Sequence, residues 1–283
     1  MAPFSSIVRF RAEEGGVYFG EAGESSNHTA ESLTGRSVPV FRGENPWDED
    51  FCLTHEWRTI AEVLCPLPRT PVFMCIGLNY KQHAQEANMS YGEYPVVFMK
   101  PPDALAGPFE DIPINPACLS MDYEAELCFV IGRDCKNLTP DEDVNSYILG
   151  YTAGNDVSSR YWQMPIRSGN QHGSAKSFDK FAPIGPVITS PSIIPDVGAL
   201  RMECLVNGEK RQSTKLDDLI FDVPAILRHL SRGTTLRRGT VVMTGTPSGV
   251  AAFMEPPAWL KDGDVVEVRV DRVGTLRNRM VFE

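Results

Sequence analysis

The sequence contains no apolar stretch approaching the ~20 residues that a membrane-spanning helix requires. It also lacks an excess of positive charge. Lys and Arg number 27 against 37 Asp and Glu, a net charge of −10 with a pI near 5.1. Nucleic-acid binding needs a basic footprint that displaces counterions from phosphates, so this balance argues against such a partner. No Cys-x-x-Cys pair occurs among the seven cysteines (52, 65, 75, 118, 128, 135 and 204), which supports neither a zinc knuckle nor a thioredoxin-like pair. Cys75, Cys128 and Cys204 lie within apolar runs and read as small buried hydrophobes in a reducing compartment. Residues 1–11 lack the apolar core of a signal peptide, and Glu13 and Glu14 follow directly, which argues against secretion or mitochondrial import. The C-terminal residues match no peroxisomal or retention signal, so the expected address is the cytoplasm. No period of 20–50 residues recurs, which excludes repeat architectures.

What is present is an ordinary globular composition, 42% hydrophobic and 23% charged over 283 residues. Such a chain can bury a sizeable core as one large domain or two unequal ones. A change of texture near Pro71 divides it into a small N-terminal domain, residues 1–70, and a larger domain, residues 71–283. In the first part, 7–11 and 16–19 read as a hairpin turning at Glu14-Gly15-Gly16. Trp57 to Leu64 reads as a short amphipathic helix ended by Cys65-Pro66-Leu67-Pro68. The second part is strand-rich. Strands are expected at 72–77, 96–99, 124–131, 147–155, 186–189, 201–206, 240–244, 264–270 and 280–282. Asn207-Gly208 marks a tight hairpin. One helix is expected from the 3–4 residue spacing of Leu216, Leu219, Ile220, Val223, Ile226, Leu227 and Leu230, closed by Gly233. Many strands and few long helices make a β-rich α+β fold.

Five segments carry chemistry. In Asp122-Tyr123-Glu124-Ala125-Glu126-Leu127, strand alternation projects Glu124 and Glu126 from one face. A solvated edge-strand face is the ordinary reading of Glu-x-Glu. Buried together, the two carboxylates repel unless a cation or proton lies between them. Asp156 ends the otherwise apolar strand around Gly150-Tyr151-Thr152-Ala153-Gly154-Asn155. Alone it would be a turn or cap residue. Converging with the two glutamates, it would complete an oxygen site suited to Mg²⁺ or Mn²⁺. On a helix over 80–88, His83 and Glu86 share a face, an arrangement suited to a base and its orienting group or to a surface pair. Lys176, between small residues and the run Ser177-Phe178, would need an anionic partner if buried. Thr244-Gly245-Thr246-Pro247-Ser248-Gly249 is a turn whose hydroxyls could hold a carboxylate; it is not a nucleophile elbow.

In order, Gly-x-Asn-Tyr-x-x-His-x-x-Glu from Gly77, Tyr-Glu-x-Glu-Leu from Tyr123, Gly-Tyr-x-x-x-Asn-Asp-Val-Ser-x-Arg from Gly150, Lys-Ser-Phe-Asp from Lys176 and Thr-Gly-Thr-Pro-x-Gly-Val from Thr244 resemble the fumarylacetoacetate hydrolase family. The resemblance covers Phe73 to Glu283. It implies a mixed β-sandwich roll, a homodimer, and Mg²⁺ or Mn²⁺ chemistry on small keto or diketo acids. By the same resemblance, Glu124, Glu126 and Asp156 are the metal ligands. Lys176 holds substrate oxygens beside the metal, and His83 with Glu86 activates water. Tyr80, Arg160, Gln163 and Thr246 are implied as substrate contacts. The leading expectation is hydrolysis of a C–C bond in an acylpyruvate-like acid, with the expelled enolate's charge held by the ion and Lys176. Oxaloacetate-type decarboxylation and C–C bond formation through the same enolate stand behind it, and a ligand-binding protein without turnover behind those.

Overall fold

The computed structural model describes residues 3–283. Its largest sheet has eleven strands. Across it run Val17–Glu21, Ser37–Arg42, Cys52–Val63, Ser6–Ala12, Ala182–Thr189, Ile148–Asn155, Ala125–Ile131, Val241–Met243, Phe73–Ile76 and Val97–Lys100, with Leu105–Ala106 alongside Ala182. A five-stranded sheet orders Glu209–Lys215, Arg201–Val206, Val265–Val270, Gly274–Phe282 and Ile112–Ile114. Most pairings are antiparallel. Val241–Met243 runs parallel to Phe73–Ile76, and Gly274–Phe282 to Ile112–Ile114, so both sheets are mixed. The expected β-rich fold is the one observed.

The continuous run Leu127-Cys128-Phe129-Val130-Ile131 belongs to a central strand buried on both faces. Leu127, Phe129 and Ile131 meet Met202, Cys204, Val266, Val268 and Leu276 of the smaller sheet in one core. Cys128 and Val130 face the opposite way and join Phe73, Cys75, Ile184, Ile188 and Met243. The N-terminal strands enclose a third cluster of Val8, Phe10, Val38, Val40, Ile60 and Val63. They attach to the rest where Ser6 and Ile7 pair with Thr189 and Ile188. The expected boundary near Pro71 falls in the connection between Cys52–Val63 and Phe73–Ile76.

Two expected helices differ. Trp57 to Leu64 is not helical; all of it but Leu64 lies in the strand Cys52–Val63, paired on one side with Ser37–Arg42 and on the other with Ser6–Ala12. Ile60 and Val63 are the buried positions, and their spacing of three imitates a helix. Ala12 pairs with Ile60 and Arg11 with Glu62, so a bulge at Ala61 turns both apolar side chains to one face. The predicted helix over 216–230 is shorter, Val223–Ser231. Pro224 lacks an N–H and clashes with a preceding carbonyl inside a helix, so it belongs to the first turn. Asp222 caps that turn by accepting from Ala225 N at 2.8 Å. Leu216–Asp218 forms a separate tight turn, and Gly233 takes φ 72° just past the helix end.

Candidate active site

Adjacent antiparallel strands build the carboxylate cluster. Ala125 pairs with Asn155, and the ladder extends one residue further as Asp156 N donates to Glu124 O at 2.9 Å. The Asn155 side chain accepts from Glu124 N at 2.9 Å, fixing the strand end. Glu124, Glu126 and Asp156 are all buried, and each offers an oxygen within 4.8 Å of the others. The solvated edge-strand reading of Glu-x-Glu is thereby set aside.

Basic groups surround the trio. Lys176 Nζ donates to Glu124 Oε2 at 2.7 Å, Asp156 Oδ2 at 2.6 Å and Ser158 Oγ at 2.8 Å, using all three of its protons. Its need for an anion is met twice. Lys100, which the sequence reading did not single out, is fully buried and donates to Asp156 Oδ1 and Phe181 O, each at 2.5 Å. Arg160 Nη2 lies 2.6 Å from Glu124 Oε1, and Nε donates to Asp122 Oδ2 at 2.8 Å. Asp122, also unforeseen, accepts from Ala251 N at 2.8 Å and Ala252 N at 3.1 Å, linking Arg160 to that loop.

The acids respond differently. Burial alone would raise the Glu124 pKa, but Lys176 and Arg160 outweigh it and hold the group at about 2. Glu126 has no such partner. Burial and the charges of Asp156 and Glu124 push its pKa well above the usual carboxylate range. Gly245 N donates to its Oε2 at 2.6 Å, while its buried Oε1 has no hydrogen-bond partner. An orphaned buried carboxylate oxygen in an all-oxygen donor set fits a hard divalent cation, Mg²⁺ or Mn²⁺, and disfavours zinc.

Above the trio lies a cavity of about 270 Å³. Glu124, Arg160, Gln163, Lys176, Thr246 and His83 contribute to its lining, with Glu126 and Asp156 beneath. His83 and Glu86 do sit on a helix, Lys81–Glu86, with His83 Nδ1 2.8 Å from Glu86 Oε2. The other carboxylate oxygen accepts from Gly249 N at 2.9 Å. Because an ionised carboxylate only accepts, Nδ1 carries the proton and Nε2 keeps its lone pair. The helix is anchored by Asn79, whose Nδ2 donates to Thr244 O at 2.7 Å and whose Oδ1 accepts from Phe221 N at 2.8 Å. Thr246 Oγ1 accepts from Gln212 Nε2 at 2.9 Å, leaving its own proton for a ligand.

Tyr80, implied as a substrate contact, is not brought to the cavity surface. It precedes the helix in extended conformation, bridges Leu219, and is fully buried in the core rather than lining the cavity. Lys100, Asp122 and His172, a further cavity residue, were missed. The signals present were weak: a lysine ending an apolar strand before two prolines, and an aspartate opening the Tyr-Glu-x-Glu run.

Comparison with known proteins gives the family. The model of the fumarylacetoacetate (FAA) hydrolase C-terminal domain matches residues 72–281. The chain is similar to the mitochondrial oxaloacetate tautomerase fahd2 of Xenopus laevis, 35% identical over 263 residues, 93% of this chain and 77% of that protein. A fumarylacetoacetate hydrolase domain-containing protein 2 homolog from Dictyostelium discoideum is 39% identical over 216 residues, covering 73% and 70%. The solved 2-hydroxyhepta-2,4-diene-1,7-dioate isomerase from Mycobacterium marinum superposes with a TM-score of 0.81 at 30% identity, covering 99% of each chain. Fold and sequence together define a member of an enzyme family built on a mixed β roll. The chain belongs to the fumarylacetoacetate hydrolase family.

Proposed function

We propose that this enzyme forms the enolate of a small 2-keto acid, with Glu124, Glu126 and Asp156 holding Mg²⁺ or Mn²⁺ and His83 moving the proton. One observation carries the reading: His83, oriented by Glu86, lines the same cavity as Glu124, the outermost member of the carboxylate trio. When bound, the ion supplies Lewis acidity at the keto acid's oxygens. Lys176 and Arg160 keep Glu124 ionised, Thr246 offers a hydroxyl to a carboxylate, and Arg160 with Gln163 forms a polar wall. His83 Nε2 takes the proton, and Glu86 steadies the imidazolium that results.

Tautomerisation or isomerisation of a keto diacid is the first reading, because the Xenopus relative is named an oxaloacetate tautomerase and the mycobacterial structure an isomerase. There His83 removes a proton from the carbon beside the carbonyl. Hydrolysis of an acylpyruvate C–C bond is the second. The chain Gly249 N to Glu86 to His83 supports it, since a base held this way can deprotonate water. Loss of CO₂ from oxaloacetate would leave the same enolate without water attack. We also propose a cytoplasmic homodimer; seven free cysteines, six of them buried, suit a reducing compartment.

His83→Ala tests the reading with saturating Mg²⁺ on oxaloacetate enol and on an acylpyruvate. Removing a general base costs about 10²–10⁴-fold, so the native activity should fall by that range with KM little changed. Full retention of both activities would make His83 structural.

A further inference from the structure

A second imidazole in the cavity has no part in the scheme above. His172 directly precedes the short helix Gly173–Lys176. It stands four residues before Lys176, the spacing that puts two helical side chains on one face, and both line the cavity. Its ring packs against Phe98 with centroids 5.3 Å apart. Its Nδ1 is 2.9 Å from Gln163 Nε2.

The direction of that bond is fixed from its far end. Arg160 has only donors, and its Nη1 donates to Gln163 Oε1 at 2.7 Å. Gln163 therefore presents its amide nitrogen to His172 and donates, so Nδ1 accepts. The proton of the neutral ring then resides on Nε2. Burial, and next the positive charge of Lys176, lower the His172 pKa and keep the ring neutral near pH 7. His83 is the reverse, with its proton on Nδ1 toward Glu86. One cavity thus holds two imidazoles of opposite tautomer, one offering a lone pair and one a proton.

Lys176 gives its three protons to Glu124, Asp156 and Ser158. Arg160 donates to Asp122 and Gln163, and its buried Nη2, 2.6 Å from Glu124 Oε1, makes no hydrogen bond, so the free donor it keeps lies beside the trio, at the keto-carboxylate end. A keto diacid seated by its keto-carboxylate end still has a second carboxylate to satisfy. We propose that His172 is a specificity-determining residue whose Nε2–H donates to the distal carboxylate of a small keto diacid. The assignment rests on the keto-acid reading of this site.

The test uses binding, measured calorimetrically on the Mn²⁺-loaded protein with two unreactive ligands. Oxamate mimics only the keto-carboxylate end, and N-oxalylglycine adds a distal carboxylate. His172→Phe keeps a ring against Phe98 and removes the donor. It should weaken N-oxalylglycine about 10- to 100-fold, the range for losing a hydrogen bond to a charged group, and oxamate by less than about threefold. His172→Gln, which retains a neutral N–H, should stay within about threefold of wild type for both. Equal losses for the two ligands, or a wild type that does not favour N-oxalylglycine, would overturn the assignment. The predicted pattern in a protein that turns over no keto acid would instead remove the proposed reaction and leave His172 in its role. Turnover without the pattern would do the opposite.

Discussion

Around the candidate metal position, Asp122, Glu124, Glu126 and Asp156 meet Lys100, Lys176 and Arg160, and Glu126 is the acid with no basic partner. The acidic trio was legible in the sequence because two simple rules converge there. Alternation puts Glu124 and Glu126 on one face, and Asp156 is a charge at the end of an apolar strand. Lys100 was not legible, since a lysine after an apolar strand usually reaches solvent; only the fold closes Phe181 over it. The burial of Tyr80 was not legible either, because a motif position says nothing about which way an aromatic ring turns. Lys100→Met leaves Asp156 its Lys176 partner but strips the donor from the buried Asp156 Oδ1 and Phe181 O, and each unsatisfied buried acceptor costs about 1–3 kcal/mol. It should therefore lower stability by about 2–6 kcal/mol in urea unfolding, and a loss below about 1 kcal/mol would contradict its structural role.

At the level of elements, the strands of the larger region were readable from their apolar runs, and the hairpin from Asn207-Gly208, where Asn207 takes φ 51° and Gly208 φ 81°. The strand Cys52–Val63 was not, because a one-residue bulge converts strand spacing into the helical interval of Ile60 and Val63. The site depends on turns as much as on strands. Gly249 holds φ 97°, and a Cβ there would stand 2.1 Å from Arg211 O. The same residue donates to Glu86 and accepts from Tyr123 Oη at 3.0 Å. Gly249→Ala must shift this turn and release Glu86. Misplacing a catalytic group by about 1 Å can cost 10²-fold, so kcat should fall at least about tenfold while Mn²⁺ affinity is kept. A wild-type kcat would show that the turn does not orient the dyad.

On the scale of the whole molecule, two mixed sheets share a core, and the carboxylate trio sits at the ends of central strands where neither sheet can shift freely. Among the described residues, no helix is long and apolar enough to cross a membrane. Met89, Tyr91, Tyr94, Val96 and Met99 leave apolar surface exposed beside the cavity, the kind of patch a second copy would cover. Light scattering should give twice the chain mass of 31.4 kDa, and a species of that single mass at micromolar concentration would remove the dimer. The central claim is that the buried trio is a cation site, and Glu126 tests it most cleanly. Its other partner is the Gly245 N–H, which a glutamine oxygen can accept equally well, so Glu126→Gln should fold normally. In calorimetric titration with Mn²⁺, the native protein should bind one ion per chain and Glu126→Gln should bind it at least about 100-fold more weakly, because the remaining carboxylates cannot complete the shell. Equal affinity in the two proteins would contradict the account.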